Sequence, residues 1–287
     1  MISKKESVLS AVGLIYFVCY SFRFMEYFIM RTDETFWGEA FVHKLAGIVI
    51  LCAGVKYFHF RFTETGFTNR ESISYLWKGL ASGLAVYVPA YLAEIAIVAA
   101  KGRFETLDLY VSAYSVDGSD GKQTGFLFFL ICIAGNIINV IMEEGIFRGL
   151  FQKILEKKYS FMVSAVISSG FFGIWHVMAP LRSFYDKTMS FESFLANAIL
   201  LSVTSALTGF GFALMTKLTG SLYMAMAYHF FNNTIVNMLH VVSHTGVDEF
   251  MVVRVSVAEI LLFVAIWIWY MSVRHKEHEM ILDRTTI

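Results

Sequence analysis

Glu143 and Glu144 lie side by side inside a long apolar stretch, where a carboxylate needs a partner or a purpose. A charge in the core of a bilayer costs about 2.5–3.5 kcal/mol on insertion scales. Asn136, Asn139 and Glu143 fall at i, i+3 and i+7. That is one face of a helix, so the polar stripe must point into protein or a cavity. Glu144 and Arg148 stand at i and i+4 and can pair on the neighbouring face. A second apolar stretch repeats the pattern with His229, Asn233 and Asn237 at four-residue spacing. In a third, His176 follows Phe172 by one helical turn.

These residue types suit hydrolysis by an activated water. A glutamate withdrawn from water has its charged form disfavoured, which makes it a better base toward a water proton. It can then return that proton to a leaving amine. Histidine and asparagine supply N–H donors for a tetrahedral oxyanion, each worth about 2.7–4 kcal/mol when preorganised. No covalent nucleophile is required. The signatures of other proteases are missing. There is no H-E-x-x-H, because His278-Glu279 has no second histidine three residues on, and no G-x-S-x-G or G-x-G-D. Ala81-Ser82-Gly83 carries Leu80 where a rhomboid serine motif has its first glycine.

Polar stripes on several spans also describe a proton-coupled transporter, although no inverted repeat or pair of broken helices is visible. A non-catalytic scaffold or bacteriocin-immunity protein is a third class. The isolated Glu39, Glu94 and Glu259, and His43, His59, His240 and His244, are expected to be interfacial or satisfied by neighbours. Cys19, Cys52 and Cys132 each lie in an apolar run without C-x-x-C spacing and are expected to pack as small hydrophobes.

The elements that must position these residues follow from composition. Of 287 residues, 57% are hydrophobic and 16% charged, against about 25% charged in an ordinary soluble domain. Lys+Arg and Asp+Glu balance at 23 each, so no net field recruits nucleic acid. A helix needs about 20 apolar residues to cross the hydrocarbon core. Eight segments are candidates: Val8–Phe22, Phe41–Phe58, Leu76–Ala100, Gly125–Met142, Phe161–Met178, Phe194–Met215, Leu222–Val242 and Val255–Val273. The second is the weakest, with Lys44 and Lys56 bracketing its centre, and without it the count is seven. The expected architecture is an all-α polytopic transmembrane helix bundle. It forms a single domain over residues 1–287, with its catalytic core at about 125–242 and a cytoplasmic tail at 274–287.

The first span, behind Lys4 and Lys5, reads as an uncleaved signal-anchor because no A-x-A site follows. With eight spans both termini share a side. Basic residues favour that side, twelve against seven on the other, which predicts cytoplasmic termini. The long outer loop, 101–124, contains the turn signal Asp117-Gly118-Ser119-Asp120-Gly121. Counted from the turn at Lys157-Lys158, Glu143 and His176 lie at similar depth, roughly 22–27 Å along their helices. Entering from the same side, His229 lies about 15 Å in and Asn233 about 21 Å. Three helices can therefore bring a carboxylate, two imidazoles and a carboxamide to one level.

In this order, the motifs Glu143-Glu144-Gly145-Ile146-Phe147-Arg148, Phe172-Gly173-Ile174-Trp175-His176 and His229-Phe230-Phe231-Asn232-Asn233 resemble the E-E-x-x-x-R, F-x-x-x-H and H-x-x-x-N motifs of the CPBP (ABI) intramembrane proteases, which include type II CAAX prenyl endopeptidases. The resemblance covers roughly residues 135–240. It implies an endopeptidase acting on a membrane-associated peptide or protein within the lipid bilayer, such as a prenylated CAAX-type protein or a bacteriocin or signal peptide. It implies Glu143 as the base, His176 orienting water and glutamate, and His229 with Asn233 as the oxyanion site. Glu144 and Arg148 become a supporting pair. No cofactor is expected. Zinc on Glu143, His176 and His229 is the alternative mechanism, although an N/O set without a second carboxylate–histidine motif fits known zinc sites poorly.

Overall fold

A computed structural model describes residues 4–35, 39–68, 71–113, 120–246 and 248–285. Its first helix, α1 (Lys4–Met25), runs into a π-helical turn (Glu26–Met30), followed by α2 (Val42–Tyr57) and α3 (Ser72–Ala100). Next, α4 (Phe126–Glu144) passes unbroken into a second π-helical stretch (Gly145–Phe151) and the short α5 (Gln152–Glu156). The remaining helices are α6 (Phe161–Trp175), α7 (Met178–Tyr185), α8 (Phe191–Thr219), α9 (Tyr223–Met238) and α10 (Met251–Thr285). Among the described residues, six helical stretches are long and apolar enough to cross a membrane: Val8–Met30, Ser72–Ala100, Phe126–Glu156, Phe161–Tyr185, Phe191–Thr219 and Met251–Lys276. The chain is an integral membrane protein built as an all-α polytopic bundle.

Each of the eight expected segments contains a helix, but α2 and α9 have only 16 residues each, short of a full crossing. For α9 the reason is a pairing with a distant strand. Leu239 turns to extended backbone, and β4 (Leu239–Ser243) pairs antiparallel with β1 (Phe104–Leu109). The seventh span therefore stops at Met238 rather than Val242. The long loop is not plain coil either, since β2 (Val111–Ala113) pairs with β3 (Asp120–Gln123). Asp117, Gly118 and Ser119 of the expected turn lie outside the described residues, as does Arg70. Over the expected tail α10 continues as helix to Thr285.

Apolar burial forms two large cores and a small cluster of Val140, Leu222 and Met226. One gathers α3, α8, α9 and α10 around Tyr87, Ala90, Phe212, Tyr228 and Ala258. The other gathers α1, α2, the second π-helical stretch and α6 around Val12, Leu51, Phe147, Phe151, Phe172 and Trp175. They meet along α6 and α8, which touch closely because Gly173 has no side chain. A Cβ there would strike the Ser202 carbonyl oxygen.

A buried ionic cluster ties the β1–β4 ribbon to the helices. Arg254 of α10 is fully buried, although the sequence places it in an outer segment. Its Nη2 donates to Asp248 at 2.7 Å, its Nη1 donates to Glu94 of α3, and its guanidinium lies 4.5 Å over the Tyr91 ring. His240 of β4 meets Asp248 at 3.2 Å and stacks on Tyr110 at 3.9 Å. Burial alone would raise the Asp248 carboxyl, but the His240 hydrogen bond and the Arg254 charge outweigh it and hold it below its ordinary value. A depressed folded-state value means the contribution is present above about pH 4 and is lost as pH falls further. Arg254→Met, which strands two buried carboxylates, should cost about 3–5 kcal/mol, seen as a lower melting temperature in detergent. Asp248→Asn should flatten the acid limb of the stability–pH curve below about pH 4.

Candidate functional site

Glu143 and Glu144 are the last two residues of α4, where the α-helix gives way to π-helix. Both are buried. The wider π turn carries Gly145 against Leu51 and Gly149 against the Thr65 carbonyl, so α2 and the loop after it close over the bulge. Such bulges are frequent at functional sites, and this one is invisible in a pattern that reads as continuous α-helix.

Each glutamate faces a different set of partners. Glu144 pairs with Arg148 at 3.4 Å and accepts a hydrogen bond from His229 Nδ1 at 2.8 Å. The other nitrogen of His229, Nε2, lies 3.6 Å from Glu143 Oε2. One imidazole therefore stands between the two carboxylates. Glu143 Oε1 accepts from Trp175 Nε1 at 2.8 Å and lies 3.7 Å from Arg23 Nη1. Glu143 Oε2 makes no hydrogen bond among the described residues.

The F-x-x-x-H spacing has a direct physical meaning. His176 caps α6, and its Nδ1 lies 2.8 Å from the Phe172 carbonyl four residues back. A carbonyl only accepts, so Nδ1 carries the proton and Nε2 carries the lone pair. The same reasoning applies to His229, whose Nδ1 faces a carboxylate. His176 stands within electrostatic reach of Glu143, Arg23 and His229. Phe172 also receives the Arg148 guanidinium on its face at 3.9 Å, with Phe212 of α8 at 5.3 Å on Arg148. Arg148 thus joins the two apolar cores, and its Nε donates to the Gly209 carbonyl at 3.2 Å.

Of the residues singled out from sequence, Glu143, Glu144, Arg148, His176 and His229 converge. Asn233 lies one turn beyond His229, but its carboxamide oxygen accepts from Asn232 Nδ2 at 3.0 Å, and Asn232 is itself held by Tyr87. No hydrogen bond among the described residues joins Asn233 to Glu143, His176 or His229. Asn136 and Asn139 are buried on the Glu143 face as expected, and Asn136 donates to Thr234 of α9 at 3.3 Å.

The donor set does not fit zinc. Among the described residues no group of three or more His, Cys, Asp or Glu side chains is arranged to hold a metal ion. One oxygen of Glu143 is also taken by an indole N–H with a guanidinium close by.

A second acid–base constellation lies outside this site. Ser112 Oγ is 3.4 Å from His240 Nε2, and His240 Nδ1 meets Asp248. It does not make a nucleophile. The carbonyls of Tyr110 and Asn237 lie 3.1 and 3.3 Å from the same Nε2, so that nitrogen carries a proton and cannot take one from serine.

Residues 125–235 match the family model described as Type II CAAX prenyl endopeptidase Rce1-like. This stretch is similar to the type II CAAX prenyl endopeptidases of the CPBP family of intramembrane proteases. No curated protein matches it. The matched stretch contains α4, the π turn and α5 to α8, and ends within α9. The match supports, in general class, a CAAX-type intramembrane endopeptidase acting on a membrane-associated protein.

Two partners of Glu143 escaped sequence reasoning. Trp175 is adjacent to His176, and an indole N–H inside a membrane itself asks for an acceptor. Arg23 lies in the first span, where a guanidinium asks for a counter-charge. Gly209→Ala should push the Arg148 guanidinium out of place, since a Cβ there collides with Arg148 Nη2. Overpacking of this kind costs about 1–3 kcal/mol, read as a lower melting temperature, whereas Gly170→Ala, with open space beside it, should stay near wild type.

Proposed function

We propose that this chain hydrolyses a peptide bond of a membrane-associated substrate, prenylated CAAX-type or another membrane-anchored peptide, with a water activated by Glu143. The observation that carries the reading is the split environment of Glu143: Oε1 is held by Trp175, whereas Oε2 makes no hydrogen bond among the described residues and faces His229. Oε2 takes a proton from water as the hydroxide oxygen bonds to the scissile carbonyl carbon. The tetrahedral intermediate then collapses, the C–N bond breaks, and the proton held by Glu143 passes to the leaving amine.

His176, with its ring fixed by the Phe172 carbonyl, orients the water and Glu143. His229 and Asn233 supply the oxyanion site, with a condition on His229. Its Nδ1 proton is directed at Glu144, so Nε2 donates to an oxyanion only when the ring is protonated. Glu144 stabilises that imidazolium as a carboxylate steadies a catalytic histidine elsewhere. Glu144 and Arg148 are thus supporting residues that act through His229 and Phe172. A cavity of about 180 Å³, lined by Arg148, Gln152, Lys153 and Lys217, supports a supply of water from the end of the bundle proposed to face the cytoplasm with both termini. The whole chain, 1–287, acts as one membrane domain in this reading.

Purified protein in detergent would be given a farnesylated CAAX-type peptide and an unmodified membrane-anchored peptide. Glu143→Ala, His176→Ala and His229→Ala should each lose at least about 10²-fold in rate, whereas Glu144→Gln should lose less and His229→Ala in that background little more. Full activity in Glu143→Ala would sink the assignment. Loss of activity on chelation, restored by zinc, would favour the metal mechanism instead.

A further inference from the structure

The matched stretch begins at residue 125, yet one group closest to Glu143 comes from α1. Arg23 sits in the last turn of that helix and is 6% exposed. If its task were only to neutralise a buried carboxylate, a bidentate pair at ordinary hydrogen-bond distance would be expected. The observed contact is a single one at 3.7 Å. Aromatic rings set the guanidinium's position instead. It lies 4.5 Å from the Trp175 ring centre and 5.2 Å from that of Tyr27, with Nη2 at 3.5 Å from the Tyr27 hydroxyl.

The turn that carries Tyr27 is itself fastened on three sides. Glu26 is fully buried and accepts from the backbone N–H of Val42 at 2.8 Å and of His43 at 2.6 Å. The His43 ring meets it at 2.5 Å, and the Thr32 hydroxyl donates to it as well. Arg182 of α7 donates to the Tyr27 carbonyl at 2.6 Å. The end of α1 is thereby clamped to α2 and α7, and Arg23 is held in place independently of Glu143.

We propose that Arg23 is a positioning residue for Glu143. Together with the Trp175 N–H it holds Oε1, so that Oε2 alone is presented to the reacting water. The inference rests on Glu143 as the base. It makes the first span part of the working site, not only an anchor. Arg23 and Trp175 act on one oxygen as a unit, since the guanidinium stacks on the same indole that donates to the carboxylate.

The test uses the full chain in detergent, the farnesylated CAAX-type peptide, and Arg23→Met, Arg23→Lys and Trp175→Phe, with melting temperatures recorded for each. Arg23→Met should lower kcat by about 10²-fold, the scale of a small misplacement of a reacting group, with KM near wild type. Arg23→Lys, which keeps the cation, should recover most of that loss, and Trp175→Phe should lose about tenfold. A folded Arg23→Met with wild-type kcat overturns the proposal. So does a loss that Arg23→Lys does not reduce. A second readout needs no turnover. Carbodiimide modifies intramembrane carboxyls in their neutral form, so peptide mapping should find position 143 labelled several-fold faster in Arg23→Met than in wild type. Equal labelling overturns the proposal even if neither peptide is cleaved. Absence of cleavage by wild type, with faster labelling in Arg23→Met, would instead count against the proposed function alone.

Discussion

Two carboxylates on consecutive residues, both withdrawn from water, repel each other and cannot stand unaided in an apolar bundle. His229 lies between them, its Nδ1–H bonded to Glu144 and its Nε2 3.6 Å from Glu143, so a proton gained by the ring answers both charges. The requirement spreads outward. The imidazole must come from α9, so α9 must pack against α4. Glu144 needs Arg148, which in turn needs the faces of Phe172 and Phe212 and the open space at Gly209. Glu143 needs Trp175 and Arg23. The packing of four helices can be read as the set of supports that this one pair of charges demands.

Much of that set was legible. Motif spacing placed Glu143, His176 and His229 at one level, because rise per residue is a reliable ruler along helices that share a turn. The bundle itself followed from hydropathy. The weakness of the second span also had a cause that the chain displays: Lys44 ion-pairs with Glu39, so the charge that spoils the apolar run is answered just outside it. Where the reading stopped short, the reasons are physical. Leu239–Ser243 continues an apolar helical pattern, and only the partner strand, more than a hundred residues earlier, makes it extended. Arg254 looked like an outer-loop charge because its counter-ions, Glu94 and Asp248, belong to another helix and the preceding turn. Arg23 has the same character, since its neighbour in space is 120 residues away along the chain.

The distribution of the missed features is informative. Motif residues cluster on α4, α6 and α9, within the matched stretch, where local spacing carries the signal. Apart from Trp175 on α6 and the π turn after Glu144, features found only in three dimensions lie mostly on α1, α2, α3 and α10, which surround that core. These outer helices look interchangeable in sequence, being apolar with an occasional charge. In the structure each charge has a particular partner, and several of those partners hold the groups that hold the glutamates.

The π-helical stretch after Glu144 gives the first motif a topological quality. In an α-helix each residue advances the direction of a side chain by about 100°. The π segment absorbs one residue more than an α-helix would over the same rise. Glu144 ends the regular helix and Arg148 lies inside the bulge, so their spacing encodes a change of winding as well as a distance. A lineage carrying this motif could exchange many apolar neighbours freely. Gaining or losing a single residue between Glu144 and Arg148 would swing the guanidinium by about 100°, away from Glu144 and the Phe172 face.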